Sequence, residues 1–282
     1  MRVIFLFLIT NLAVLVVLSV ILQVFNVKNM GGLLILALLI GMGGSFISLA
    51  ISKWLVKKIM KVQVIEQPSN PAEIWLVNTV QELAKGAGIG MPEVAIYDSP
   101  AINAFATGMN RDDALVAVST GLLHSMNQTE VEGVLGHEVS HIANGDMVIL
   151  ALIQGVVNTF VLVLAWVIGM IVDRLLFKNR QGPGIGYFIA SYVAEIVLAI
   201  LASIIVMWFS RQREFRADAG SAKLVGADKM IGALQRLQMA HSGQLPEQLA
   251  TFGINSSKTR SLTQRLFSTH PPLDERIKAL QI

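Results

Sequence analysis

The chain has 282 residues, 54% hydrophobic and only 15% charged, with a mean hydropathy of +0.61; that excludes an ordinary soluble domain and fits several membrane spans. Its net charge of +3 contains no basic run with interleaved aromatics, which excludes a nucleic-acid partner and leaves the lipid bilayer as the surface its lysines and arginines flank. Cysteine is absent, so there is no disulfide frame and no thiolate metal site, and any metal must be held by His, Asp or Glu.

Residues 4–25 form an apolar run interrupted by Thr10, Asn11, Ser19 and Gln23. It is too long for a cleavable signal and no small-x-small site follows before Lys28, so it reads as an anchor that stays in the membrane. Residues 31–51 are a second span, in which Gly41, Gly43 and Gly44 permit close helix packing. The short link between them makes residues 1–61 a membrane hairpin. Lys53, Lys57, Lys58 and Lys61 follow, and by the positive-inside rule they mark that side, and both chain termini, as cytoplasmic.

Residues 62–147 are soluble in character. Pro71 opens a helix with Ile74, Val77, Val80, Ala84 and Ala87 along one side. Residues 93–97, 103–107 and 114–118 read as short strands, the last two separated by a turn over 108–112. Strands followed by a long helix indicate a small α+β unit, and an edge strand near a catalytic group could pair with an extended peptide. The long helix starts at Asn127, boxed by Glu130, and buries Val131, Val134, Leu135, Val139 and Ile142 before Asn144-Gly145 stops it. Within it, His137-Glu138-Val139-Ser140-His141 reads H-E-x-x-H. Two imidazoles four residues apart lie on one helix face and can share one Zn²⁺ per chain, with Glu138 beside it as a base.

Residues 148–172 and 187–209 are a third and a fourth span, making 148–209 a second membrane hairpin. Gln154 and Asn158 face another helix, and Glu195, inside the fourth span, must pair, reach water or be protonated. The loop 173–186 carries Arg174, Lys178 and Arg180. Residues 210–282 are polar again, with helices expected over 213–225, 229–240 and 272–281 and a loop-rich stretch over 243–268.

Two antiparallel spans return the chain to the side it left, so the motif at 137–141 and the sequence Arg213-Glu214-Phe-Arg-Ala-Asp218 sit at the same membrane edge. Glu214 and Asp218 are again four apart on one helix face. Glu214 then completes a His₂Glu ligand set, and Asp218 is the carboxylate that orients a ligand histidine.

These motifs, with Asn-Ala-Phe-Ala-Thr-Gly at 103–108 and Thr-His-Pro-Pro-Leu-Asp-Glu-Arg-Ile at 269–277, resemble the HtpX-type membrane zinc metalloproteases, relatives of the Ste-type CAAX proteases, over nearly the whole chain. The resemblance implies an α+β membrane protein: four transmembrane helices and a thermolysin-like catalytic domain facing the cytoplasm of a bacterial inner membrane. It also implies cleavage of membrane-protein or peptide substrates in quality control and stress response, alongside other membrane quality-control proteases. It further implies that His270 and Arg276 approach the reacting group as donors and that Asn103 lies on the substrate-binding strand.

A metzincin is excluded, because Asn144 and Met147 stand where its Gly and third His belong. The polar flank of Gln128, Glu130, Glu132, Asn144 and Asp146 places the motif outside the hydrocarbon. The competing readings are a zinc transporter, which would need ligands at the bilayer midplane, and a metal-stabilised scaffold without proteolysis.

Overall fold

The apolar runs form helices because a backbone in lipid must satisfy its own hydrogen bonds. The computed structural model describes residues 2–24, 31–179, 182–242, 266 and 268–281. By backbone contacts the chain divides into one unit of Met1–Leu49 with Val148–Val206 and another of Ala50–Met147 with Met207–Ile282.

The first unit is helical. Helix α1 (Arg2–Val24) is followed by α2 (Gly31–Leu38), which passes through a π turn at Leu39–Gly43 into α3 (Gly44–Ile59). Two long helices, α7 (Asp146–Leu175) and α8 (Ile185–Val225), begin outside the first pair in sequence. Among the described residues three helices are long and apolar enough to cross a membrane, Leu34–Ile59, α7 and α8; Phe7–Val20 of α1 is a shorter apolar stretch. Val14, Leu18 and Leu22 of α1 pack on Leu34 and Ala37 of α2 and on Val163 and Val167 of α7. A side chain on Gly41 would meet the Thr159 backbone N at 2.8 Å, so this glycine lets two helices touch. Phe188, Tyr192, Val193 and Ile200 of α8 point outward, as lipid-facing side chains do. Gln154 donates to Asn158 at 2.8 Å within α7 itself.

The second unit is α+β. Its strands are β1 (Gln63–Val64), β2 (Glu93–Tyr97), β3 (Ala104–Asn110) and β4 (Asp113–Ser119), in the order β1-β2-β4-β3. β4 runs parallel to β2, with Glu93 opposite Leu115, and antiparallel to β3, with Ala104 opposite Val118. Central β4 is buried from Ala114 to Ser119, which is why it reads as an unbroken apolar run. β3 is an edge strand, and it runs further than the sequence pattern suggests. The turn expected over 108–112 shrinks to Arg111 and Asp112, because a bulge between Gly108 and Asn110 lets the ladder continue to Asn110. The two residues of β1 carry too little pattern to be seen in the sequence.

Helix α4 (Pro71–Ala87) opens on Asn70, whose side chain accepts from the Glu73 N–H, and closes on left-handed Gly88. Short α5 (Thr120–Ser125) leads to α6 (Gln128–Asn144). In α6 the Asn127–Glu130 capping box is complete and Gly145 at φ 70° ends the helix. Leu135, Val139 and Ile142 of α6 meet Val116 and Val118 of β4 and Leu76 and Val80 of α4 in one core. Helices α9 (Ala227–Ser242) and α10 (Leu273–Leu280) complete the unit. Of the loop-rich stretch expected over 243–268, only Leu266 and Ser268 fall within the described residues.

One boundary differs. The sequence suggests a span ending at residue 209 and a separate helix over 213–225, yet α8 is one helix of 41 residues. Composition changes at Ser210, but no proline or glycine interrupts the backbone there, so the helix continues until Gly226 at φ 99°.

Candidate metal centre

Two helices meet at small residues, and that contact sets the centre. A side chain on Gly136 of α6 would lie 2.7 Å from Ser221 Oγ of α8, and one on Gly220 would lie 2.5 Å from Ser140 Oγ. Ser221 Oγ also donates to the Gly133 carbonyl at 2.8 Å. With backbones this close, the side chains one position along α6 and those one and two turns back from Ser221 along α8 face each other. Those side chains are His137 and His141 on α6, and Glu214 and Asp218 on α8.

His137, His141 and Glu214 offer ligand atoms that all lie within 4.8 Å of one another. The two Nε2 atoms are 3.1 Å apart, His137 Nε2 is 3.6 Å from Glu214 Oε2, and His141 Nε2 is 3.4 Å from Glu214 Oε1. Bonds of roughly 2.0–2.2 Å at tetrahedral angles around zinc separate neighbouring ligand atoms by about 3.4 Å, so the triangle has the right size.

The outer partners fix which nitrogens face inward. His137 Nδ1 is 2.8 Å from Asp218 Oδ1, and His141 Nδ1 is 2.7 Å from Asp146 Oδ2. Each Nδ1–H is therefore given to a carboxylate, and both Nε2 lone pairs converge on the Glu214 oxygens. Three acceptors facing one point repel unless a cation lies between them. A set of two imidazoles and one carboxylate suits a divalent transition-type ion, zinc included.

Protons relieve the same repulsion. Burial alone would lower the His141 imidazolium, but Asp146 and Glu214 outweigh it and push the group up to about 9. Burial opposes protonation of His137 too, and Asp218 and Glu214 again reverse the sign, so its value is raised. A divalent ion and protons thus compete for the imidazoles, and rising pH favours the ion.

Glu138 is nine-tenths buried beside this triangle, and its carboxylate makes no hydrogen bond or ion pair among the described residues. Arg276, on α10, is buried and grips Asp218 with two hydrogen bonds, Nε to Oδ2 at 2.7 Å and Nη2 to Oδ1 at 2.6 Å. Its Nη1 lies 3.2 Å from Glu214 Oε2. The guanidinium is thus turned toward carboxylates, and burial, which would lower its ionisation, is outweighed by Asp218 and Glu214, which raise it. His270 Nδ1 donates to Glu214 Oε2 at 2.7 Å. Asn103, the residue before β3, is joined to Ser119 through its backbone, donating at 3.1 Å and accepting at 2.9 Å, and among the described residues it makes no hydrogen bond to the ligand triangle.

Sequence reasoning named every residue of the triangle but passed over Asp146 as a polar flank. It is fully buried, it faces His141, and its other oxygen lies 3.5 Å from Arg216 Nη2. Its signal was present as a carboxylate five residues past His141, just after the helix-ending glycine.

Residues 71–282 match the family described as Peptidase family M48. The chain is 61% identical over 292 residues to "Protease HtpX" of Thioalkalivibrio sulfidiphilus, covering 100% of this chain and 99% of that one. It is 59% identical to "Protease HtpX homolog" of Nitrosomonas europaea, with the same coverage. The crystal structure of S. mikatae Ste24p aligns with a TM-score of 0.62 at 18% identity, covering 99% of this chain and 61% of that chain, a likeness of fold. With a family match over three-quarters of its length and full-length relatives at this identity, the chain belongs to peptidase family M48, whose HtpX proteases it resembles.

Proposed function

We propose that this membrane metallopeptidase is a zinc-dependent endopeptidase that cleaves membrane proteins in quality control, with its centre and both termini on the cytoplasmic side of a bacterial inner membrane. The observation that carries the reading is the ligand triangle with the buried Glu138 carboxylate beside it, which has no hydrogen-bond or ion-pair partner among the described residues. The basic cluster after the second span supports the orientation, although Lys53 and Lys57 also pair with Glu93. In this arrangement α1 joins the three longer apolar helices as a fourth span. Residues 1–61 and 148–209 form the membrane part, and 62–147 with 210–282 form a thermolysin-like catalytic part.

His137, His141 and Glu214 would hold the ion, which would supply Lewis-acid polarisation of a water and of the scissile carbonyl. Glu138 takes the proton from the attacking water and delivers it to the leaving amine. Asp218 and Asp146 keep each ligand histidine in the tautomer that leaves Nε2 free. His270, held through Nδ1 on Glu214, stands where the family resemblance places a donor to the developing oxyanion. The resemblance offers Arg276 as a second donor; its fork is given over to Asp218, so we assign it the positioning of that carboxylate. Asn103 leads into the edge strand along which an extended substrate would lie.

The test is cleavage of fluorescein-labelled casein by the full chain in detergent. Cleavage should stop on chelation and return on adding Zn²⁺; cleavage by metal-free protein would overturn the reading. The Asp146→Asn substitution keeps the shape and loses the charge. Zinc affinity measured by chelator competition should fall roughly 10–100-fold. An unchanged affinity would leave Asp146 with a space-filling role alone.

A further inference from the structure

The C-terminal segment reaches the centre through two residues of unlike burial. Arg276 stands on α10, is buried and is clamped on both sides of its fork, so packing sets its place. His270 lies before that helix, its side chain is 64% exposed, and a single hydrogen bond of 2.7 Å ties it to Glu214. One hydrogen bond from a largely exposed imidazole fixes the ring's direction but leaves the backbone that carries it free to move. Something else must hold the chain that carries it.

That anchor is on α8. Arg211, three residues before Glu214, donates from Nη1 to the Leu266 carbonyl at 3.2 Å and to the Ser268 carbonyl at 2.9 Å. Ser268 Oγ in turn donates to the His270 carbonyl at 2.7 Å. The contacts run from α8 through Arg211 to Leu266 and Ser268, from Ser268 to His270, and back through the imidazole to Glu214 on the same helix. Arg211 and Glu214 are neighbours on one helix surface, so the helix itself sets the spacing between the anchor and the imidazole's target.

We infer that Arg211 is a positioning residue for the peptidase reaction: it pins the backbone at Leu266 and Ser268, so that the exposed His270 imidazole stays beside Glu214 and over the ligand triangle. It touches neither ion nor substrate. An arginine suits the task because its planar group donates along two directions at once, whereas a lysine offers a single mobile point charge. The inference rests on the donor role proposed for His270.

The test is a double-mutant cycle on the full chain in detergent, loaded with zinc, with labelled casein as substrate. Arg211→Ala should lower kcat about 10-fold, the loss of two carbonyl hydrogen bonds, and move KM less than about 2-fold. His270→Ala should lower kcat about 100-fold, the low end for a lost oxyanion donor. The double variant should be no slower than His270→Ala alone to within about 2-fold, because Arg211 acts only through that imidazole. Arg211→Lys should recover part of the rate, and zinc content should be unchanged in every variant.

A second readout is independent of catalysis. The chain has no cysteine, so a spin label on Thr269→Cys reports this segment alone, and its mobility should rise when Arg211→Ala is added. Losses that add in the double variant, loss of zinc in Arg211→Ala, or unchanged label mobility would each overturn the inference. A native rate in His270→Ala would overturn the donor role and the kinetic part together. Cleavage that survives chelation is the separate result that overturns the peptidase reading.

Discussion

Glu138→Gln should abolish casein cleavage while zinc stays bound. The carboxylate is buried beside the ligand triangle and has no hydrogen-bonding partner among the described residues, so an amide of the same shape should disturb no contact that holds the ligands. The amide cannot accept the proton that the attacking water must lose. General-base catalysis of this kind contributes roughly 10²–10⁴-fold, and the loss should fall in that range or beyond it. Zinc stoichiometry measured by elemental analysis should remain one per chain. The same variant separates the competing functions. A transporter would show altered zinc flux with no proteolysis to lose, and a scaffold would show only a change in melting temperature. A variant that cleaves within about threefold of the native rate would remove Glu138 from the mechanism.

Glu214→Gln should empty the centre. The native side chain lies within 3.6 Å of the two imidazole Nε2 atoms and also meets His270 and Arg276. Without its charge the triangle keeps two neutral nitrogens and one weak amide oxygen. Changing groups that merely orient ligands costs roughly 10–100-fold in affinity, so changing a ligand should cost more than about 100-fold. Zinc retained after dialysis against a chelator is the measurement, and native retention would exclude Glu214 as a ligand. The fold should survive, because Arg276 keeps its two hydrogen bonds to Asp218 and is not left as an unpaired buried charge.

What could be read from the sequence were features with a local period. The cap at Asn127, the stop at Gly145 and the apolar side of α6 all follow from spacing within one helix. His137 with His141, and Glu214 with Asp218, are likewise four-residue pairs. The β2 strand is recovered at Glu93–Tyr97 because its run is apolar and bounded by breaks. Contacts between distant residues have no such period. The Arg211 anchor spans 55 and 57 residues, and the grip of Arg276 on Asp218 spans 58. Asp146 is near in sequence, but its task depends on which nitrogen of His141 is turned outward, which only the folded backbone decides. The continuity of α8 was hidden for another reason. Side-chain polarity changes abruptly near residue 210 while the backbone hydrogen bonds do not, and a hydropathy pattern records only the former.

That continuity has a consequence for how the chain tolerates changes in length. At 1.5 Å per residue, α8 is a rod of about 61 Å, twice the thickness of a hydrocarbon layer. The azimuth of Glu214 toward the imidazoles is set along this same unbroken backbone by the close approach at Gly220 and Ser221, six and seven residues further on. One residue inserted between Glu214 and Gly220 would swing the carboxylate by about 100° relative to that contact, and seven would restore its direction but displace it by about 10 Å along the axis. Natural variation between these two positions should therefore replace residues without changing their number.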